Sequence, residues 1–533
     1  MDSAFIPAPY GGANKKTPIA VLKNPYCQSL LNFNTTEAGA ELRNGDSIWT
    51  ANLVSATNTT DDFLAFIKYG DISLFYTTQC STTQNRYFSA TTAGSATLVH
   101  TSTSNITGEI FSVYFNKYVF IFGAAGTGTA GDQYNGSAWS AWGWTLPSSF
   151  LPIGGCAYNH RAYFIGRLSA EYAYGGIDAI TGALTKVDLA GVILEQSYLS
   201  TIAPLTISQN GNNLTLLAFV FYSGEVLFYA GSYPDGSDWT LAARGKIGKP
   251  LNYNCSIDYQ GDALIMTRVG LVSLRDVFLT GSQDATTKTV SDPINPSWTE
   301  IINDLVANWV GTFVQSSTGR VSFINGDWWA AKDRIVIVFP IYIDSDGNGQ
   351  YGNTIFVFDT ERLSWSIHRS GDGVGGSSGI YSAVEFQDNF YINGQSQATS
   401  GNYLVILKKE GGTDYQDAFN NVAKLNYDYE ILSAPIPYKK DAVYTILGIE
   451  PIIESDLYAQ TNWNLIADFG RQETADQVVD ALTTSVQKPM VNIGITANFA
   501  QVKMSGTTAA SKTVGLSLYG YNVWFDAGEK GSR

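Results

Sequence analysis

Seven stretches of the chain repeat one pattern: an apolar strand, a tight polar turn, then a second strand rich in Tyr, Phe and Ile. They read FLAFIKYGDISLFY (63–76), VYFNKYVFIFG (113–123), AYNHRAYFIG (157–166), LAFVFYSGEVLFYAG (217–231), SIDYQGDALIMT (256–267), WAAKDRIVIVFP (329–340) and VEFQDNFYING (384–394). Their turns centre near Gly70, Asn116, Asn159, Gly224, Gly261, Asp333 and Asp388. The intervals average 53 residues, and an antiparallel repeat of roughly 40–50 residues is the mark of a propeller blade. The pattern predicts an all-β chain built on a β-propeller of six or seven blades.

Around the repeats the pattern changes twice. Residues 1–45 carry Pro7, Pro9, Pro18 and Pro25, with Gly11-Gly12 as a turn, and read as an N-terminal extended arm. The propeller is placed over 46–410. Residues 411–533 read as a C-terminal β-domain of the sandwich type, with apolar runs at Ala442–Ile453, Trp463–Phe469, Val491–Met504 and Val514–Phe525. Alternation in VGLSLYGYNVWF shifts phase at Gly520, and TADQVVDALTT (474–484) is expected to be a helix interrupting these strands.

Three hairpins are followed by a turn and a Trp: Asn135-Gly136 before Trp139, Asp235-Gly236 before Trp239, and Thr360 before Trp365. Such a turn should join the outer strands of a blade, with the indole between neighbouring blades. The spacing stretches between Gly261 and Asp333, where PSWTEIINDLVANWV (296–310) predicts a helix. Its apolar face would hold Ile301, Leu305 and Trp309, with Ser297 as N-cap. It is either packed on its own domain or carried on a blade to reach a neighbour.

Composition narrows the function. Charged residues are only 15% of the chain, so much of the surface must be Ser, Thr, Asn, Gln and Gly, suited to being covered in an assembly. The net charge of −15 argues against a protein that grips nucleic acid, since Lys and Arg supply most of that affinity. The N-terminus has no signal-peptide pattern, and no apolar run reaches a membrane span. Cys27, Cys80, Cys156 and Cys255 are far apart and read as reduced, buried thiols.

Candidate chemistry is sparse. The three histidines, His100, His160 and His368, lack metal-ligand spacing, and His160 should be a solvated ring in a turn. No nucleophile elbow, HExxH or phosphate loop occurs. Asp344-Ser-Asp346-Gly-Asn348-Gly349 copies half a calcium loop, but Ile355 stands where a bidentate Glu is needed; good turn formers explain it equally. Ser232-Tyr-Pro-Asp235-Gly236-Ser-Asp238-Trp239 nearly reproduces the Asp-box of sialidase propellers, a turn device remote from their active site. Paired carboxylates for glycoside hydrolysis stay open among 47 acids. No catalytic, cofactor or metal residue is assigned, and the chain is expected not to be an enzyme.

The first fifty residues carry a resemblance. Pro9-Tyr-Gly11-Gly12-Ala-Asn14, then Asn32-Phe33-Asn34, then Leu42-Arg43-Asn-Gly45 is similar to the opening of the tail nozzle (tail tube protein B) family of short-tailed bacteriophages, which includes the DNA-stabilisation or plug proteins. Gly531 and Arg533 resemble the family's C-terminal end. The resemblance implies a structural virion protein. It would form a hexameric ring below the head-to-tail adaptor, hold tail fibres or spikes, and pass genomic DNA without specific binding. It implies assembly in the host cytoplasm and no cofactor. The alternative is a glycan-binding or glycoside-hydrolysing propeller, suggested by the Trp-bearing turns and the near Asp-box. A peptide-binding scaffold propeller would need WD or kelch signatures, and neither occurs.

Overall fold

The computed structural model describes residues 2–51, 62–80, 84–102, 110–123, 131–209, 212–251, 253–280, 289–309, 325–339, 342–343, 350–351, 354–369, 379–398, 401–412, 417–418, 424–425, 427–436, 443–455, 459–481, 486–493, 495–497, 499–508 and 515–528. Among these the chain is nearly all β and propeller-like, with two α-helices, α1 (Leu274–Thr280) and α2 (Asn295–Trp309).

Each of the seven repeats is a hairpin, and each lies in its own antiparallel set of strands. The first comprises Asp62–Tyr69, Ser73–Cys80, Gln84–Ser89 and Thr97–Thr101; the second Ile110–Phe115, Tyr118–Gly123, Asp132–Tyr134 and Trp139–Ala141. The third holds Pro152–Tyr158, Arg161–Gly166, Glu171–Tyr174 and Thr185–Asp188; the fourth Leu199–Gln209, Asn212–Phe221, Glu225–Ala230 and Thr240–Lys246. Three strands form the fifth (Ser256–Tyr259, Asp262–Thr267, Gly270–Ser273), and four the sixth (Asn325–Trp329, Arg334–Val338, Thr354–Asp359, Ser364–Arg369). The seventh takes Gly379–Phe386, Asn389–Ala398 and Gly401–Lys408 and then pairs with Ser47–Ala51 from the other end of the chain.

First strands of successive sets touch in order, with Leu199–Gln209 meeting the fifth set through Asp262–Thr267. Gly379–Phe386 then touches Asp62–Tyr69, returning to the start. The turn residues explain why these hairpins form. Gly70, Asn116, Asn159, Gly224, Gly261, Asp333 and Asp388 all have positive φ, which Gly, Asn and Asp tolerate best. In the fourth set the Gly224 turn joins the second and third strands, whereas the other six join the first and second.

The three Trp-bearing turns join third and fourth strands, as expected. Trp139 stacks on His100 of the preceding set, with ring centroids 5.1 Å apart. Trp239 meets Tyr158 of the third set, and Trp365 donates its indole N–H to the Val290 carbonyl. These contacts carry the rings across from one set to the next.

Helix α2 differs in detail from the expectation. It begins at Asn295, directly after a 3-10 turn at Asp292–Ile294, so Ser297 lies inside it and is no N-cap. Its buried apolar residues, among those described, are Trp298 and Ile302, and Ile301 is half-buried. The side chains of Leu305 and Trp309 lie outside the described residues. Trp298 donates to the Thr267 carbonyl and packs on Phe339 and Phe356, so the helix covers its own chain.

The N-terminal strands are built into sheets with the C-terminal ones. Asp2–Pro7 pairs with Leu516–Gly528, which also pairs with Ala40–Leu42 and Val443–Ser455. Cys27–Leu31 pairs with Asp428–Pro435 on one side and, through Leu31 and Ile367, joins the sixth set on the other. One apolar core therefore runs from Leu30 and Phe33 through Phe356 and Trp365 to Trp463 and Val523. The phase shift near Gly520 is a bulge, with Ile452 opposite Gly520 and Ile453 opposite Leu518.

The helix expected at 474–484 is corrected: Gln477–Ala481 is a strand paired with Ala459–Ala467. Val478 is exposed and Val479 buried, so the β-branched pair alternates across a sheet rather than following a helical face. Cys27 and Cys255 are buried and Cys156 is half-buried.

Candidate functional site

The motif residues of the N-terminal arm converge on one buried joint. Asn32 has φ 60° and is fully buried. Its Oδ1 accepts from Arg43 Nε at 2.9 Å and from the Arg369 amide at 2.8 Å, while Nδ2 donates to the Asp428 carbonyl at 2.6 Å. One side chain thus ties the arm, the sixth set and a C-terminal strand together. Asn would be hard to replace here, because αL backbone and both amide groups are used at once.

Arg43 is buried beside Asp46 at 3.6 Å and donates to the carbonyls of Asn44 and Arg369. Asp46 accepts the Glu410 amide at 2.9 Å. Glu410 in turn meets Lys332 at 3.0 Å, Arg334 at 3.2 Å and Asn34 Nδ2 at 3.4 Å. Burial works to raise the Glu410 carboxyl, but Arg334, Lys332 and Lys409 outweigh it and hold it well below the carboxylate range. His368 is enclosed in the same joint; burial first and the Lys409 charge second push its pKa well below normal. Gly12 packs against this joint with φ +76°, where an added Cβ would stand 2.7 Å from the Trp365 backbone nitrogen.

A second site lies on the axis, where the first strands of the seven sets meet. They wall a cavity of about 500 Å³, reached by Lys68, Tyr114, Cys156, Tyr253, Asp258 and Asp327 among others. Lys68 lies 3.5 Å from Asp327 and 3.6 Å from Glu385. Burial would lower the Lys68 ammonium, yet Asp327 and Glu385 together keep it above its ordinary value. Asp258 is open to the cavity while protein surrounds it. Its carboxyl is raised, by desolvation first and the Asp327 charge second, with Lys68 opposing. Glu385 is raised too, mainly by desolvation. The site therefore sets one cation among three carboxylates, Asp258 and Glu385 being the two whose proton affinity is raised, an arrangement able to hold polyhydroxylated ligands and to move a proton.

No sequence signal pointed to these four residues, since each belongs to a different repeat and only ring closure brings them together. The singled-out motifs fall elsewhere. In the near Asp-box, Asp238 accepts from the Ser232 amide and hydroxyl at 2.8 and 2.7 Å, while Asp235 pairs with Arg161 at 3.2 Å, so it is a turn device. His160 is an exposed turn residue beside Asp178. Asp344–Gly349 lies outside the described residues, as do Gly531 and Arg533. Among the described residues no His, Cys, Asp and Glu group could hold a metal, and no helix is long and apolar enough to cross a membrane.

No family model and no curated protein sequence matches the chain. Among solved structures it is similar to an exo-β-1,3-galactanase of Phanerochaete chrysosporium, at 7% identity and TM-score 0.24 over 91% of this chain and 100% of that one. It is also similar to Trypanosoma rangeli sialidase, at 10% identity and TM-score 0.31 over 98% and 95% of the two chains. A third is BBS1N in complex with ARL6DN, at 10% identity and TM-score 0.33 over 72% and 100%. The expectation that this chain is not an enzyme is corrected here. Two of these neighbours are named as enzymes, an exo-galactanase and a sialidase. Likeness at these scores assigns no reaction.

Proposed function

We propose that this chain is a structural component of the tail of a short-tailed bacteriophage, a protomer of the nozzle ring below the head-to-tail adaptor. One observation carries the reading. Gly12, Asn32, Asn34 and Arg43, quoted from the family-like opening, are the residues that lock arm, sixth set and C-terminal strands into one joint. In this reading the seven sets are the blades of a seven-bladed propeller, closed by Ser47–Ala51 as the last blade's outer strand. Arm and C-terminal strands together form the platform on which neighbours assemble, as a hexamer in the virion tail with fibres or spikes around it. Genomic DNA passes through without sequence-specific grip, in keeping with the net charge of −15.

Co-expression with the adaptor protein of the same genome, followed by electron microscopy, tests this. Rings of six copies are expected. A chain that stays monomeric with adaptor and fibre proteins present overturns it.

A second reading is favoured by the axial cavity: a propeller that binds or hydrolyses glycans. The raised Asp258 carboxyl suits a general acid, with Asp327 as its charged partner. Screening on oligosaccharides, with Asp258→Asn and Asp327→Asn beside the parent chain, tests it. Turnover lost in both variants supports the reading; no turnover on a broad panel removes it.

A further inference from the structure

The geometry points to a binding site for acidic oligosaccharides on the rim of the axial cavity, formed by Tyr198, Tyr222, Tyr253, Lys249 and Arg268. This deepens the second reading above, resting on it for the class of ligand and not for any reaction.

All five residues lie where strands of the fourth and fifth sets begin or turn. Tyr198 immediately precedes Leu199–Gln209, and Tyr222 follows Asn212–Phe221. Arg268 stands in the turn between Asp262–Thr267 and Gly270–Ser273, and Tyr253 lines the cavity itself. The rings of Tyr198 and Tyr222 are stacked, with centroids 4.9 Å apart and planes 12° from parallel, and Tyr253 is 6.1 Å from Tyr198. All three are half-buried.

Two cations border this platform. Arg268 donates to the Tyr222 hydroxyl at 3.1 Å, and the Lys249 ammonium lies 5.7 Å from the Tyr222 ring centroid. The Arg268 amide also bonds the Lys249 carbonyl at 2.9 Å, so both side chains leave adjacent backbone positions. Flat aromatic rings take the C–H faces of sugar rings, and a fixed guanidinium beside them takes a carboxylate in bidentate fashion.

The ligand class follows from charge. Two cations on an apolar platform favour a saccharide carrying isolated carboxylates. A nucleic acid, with a phosphate at every step, meets a protein of net charge −15.

Calorimetric titration of the full chain with short oligogalacturonates, neutral cello-oligosaccharides and a single-stranded oligonucleotide tests the site. Oligogalacturonate binding is expected, weakened about tenfold by Tyr222→Ala. Arg268→Gln should weaken the acidic ligand selectively, and His160→Gln, in the exposed turn of the third set, should leave binding in place. Circular dichroism of each variant confirms folding. Binding without turnover supports the platform while removing axial hydrolysis alone. Absence of oligogalacturonate binding, binding indifferent to both rim variants, or tighter binding of the oligonucleotide overturns it.

Discussion

The Arg43 guanidinium lies over the Tyr427 ring, 4.0 Å from its centroid, and the Tyr427 hydroxyl donates back to the Arg43 carbonyl. The two residues are 384 positions apart. Each therefore holds the other, and together they fasten the start of the propeller-like region to the C-terminal strands. Cation–π contact and hydrogen bond act on the same pair, in a place closed to water.

Arg43→Met is expected to destabilise the fold by about 3–5 kcal/mol, because it leaves Asp46 as a buried charge short of one partner. Tyr427→Phe removes only the hydroxyl bond and should cost about 1 kcal/mol. Denaturant unfolding of both variants checks the order. Equal effects would mean that the ion pair contributes nothing.

Stability should fall as the pH is lowered, first through His368. Its folded pKa lies well below the ordinary 6.5, so below that pH the unfolded chain takes up a proton that the folded chain refuses. The loss is at most about 1.4 kcal/mol per pH unit. Glu410 adds a loss of the same sign below its ordinary 4.5, since its folded pKa is also depressed. His368→Asn should flatten the slope of stability against pH between 6.5 and 5, and thermal unfolding across that range measures it.

Gly12→Ala should destabilise by more than about 1 kcal/mol, since positive φ and the close Trp365 backbone both oppose a side chain. Gly191→Ala is the control: its added Cβ meets nothing within 4 Å. A matched pair of melting curves decides, with a shift expected in the first variant alone.

Trp298→Ala should cost about 3–5 kcal/mol in the isolated chain, because the buried indole fills the space against Phe339 and Phe356. Unfolding of the purified monomer tests this. Full stability of the variant would show that the indole contributes nothing to the packing of α2.

The hairpins were legible in the sequence because their determinants are local. Alternating apolar residues choose a strand, and Gly, Asn or Asp with positive φ chooses the turn, as at Gly70, Asn116 and Asp388. The segment 474–484 misled for a related reason. Val478 and Val479 sit in a stretch whose composition suits a helix, and only pairing with Ala459–Ala467 makes them a strand. Ser297 as a cap failed because the preceding 3-10 turn already opens the helix at Asn295.

The chain alone determined the β class, the seven hairpins, the Trp-bearing outer turns and the scarcity of chemical motifs. Tertiary structure decided which ends pair, so that Ser47–Ala51 completes a sheet with Gly401–Lys408. It also decided the site on the axis. Lys68, Asp258, Asp327 and Glu385 are far apart along the sequence, and no local pattern marks them. Closing the ring sets Lys68 beside Asp327 and Glu385, and desolvation by the surrounding strands together with neighbouring charges shifts the proton affinities of Lys68, Asp258 and Glu385.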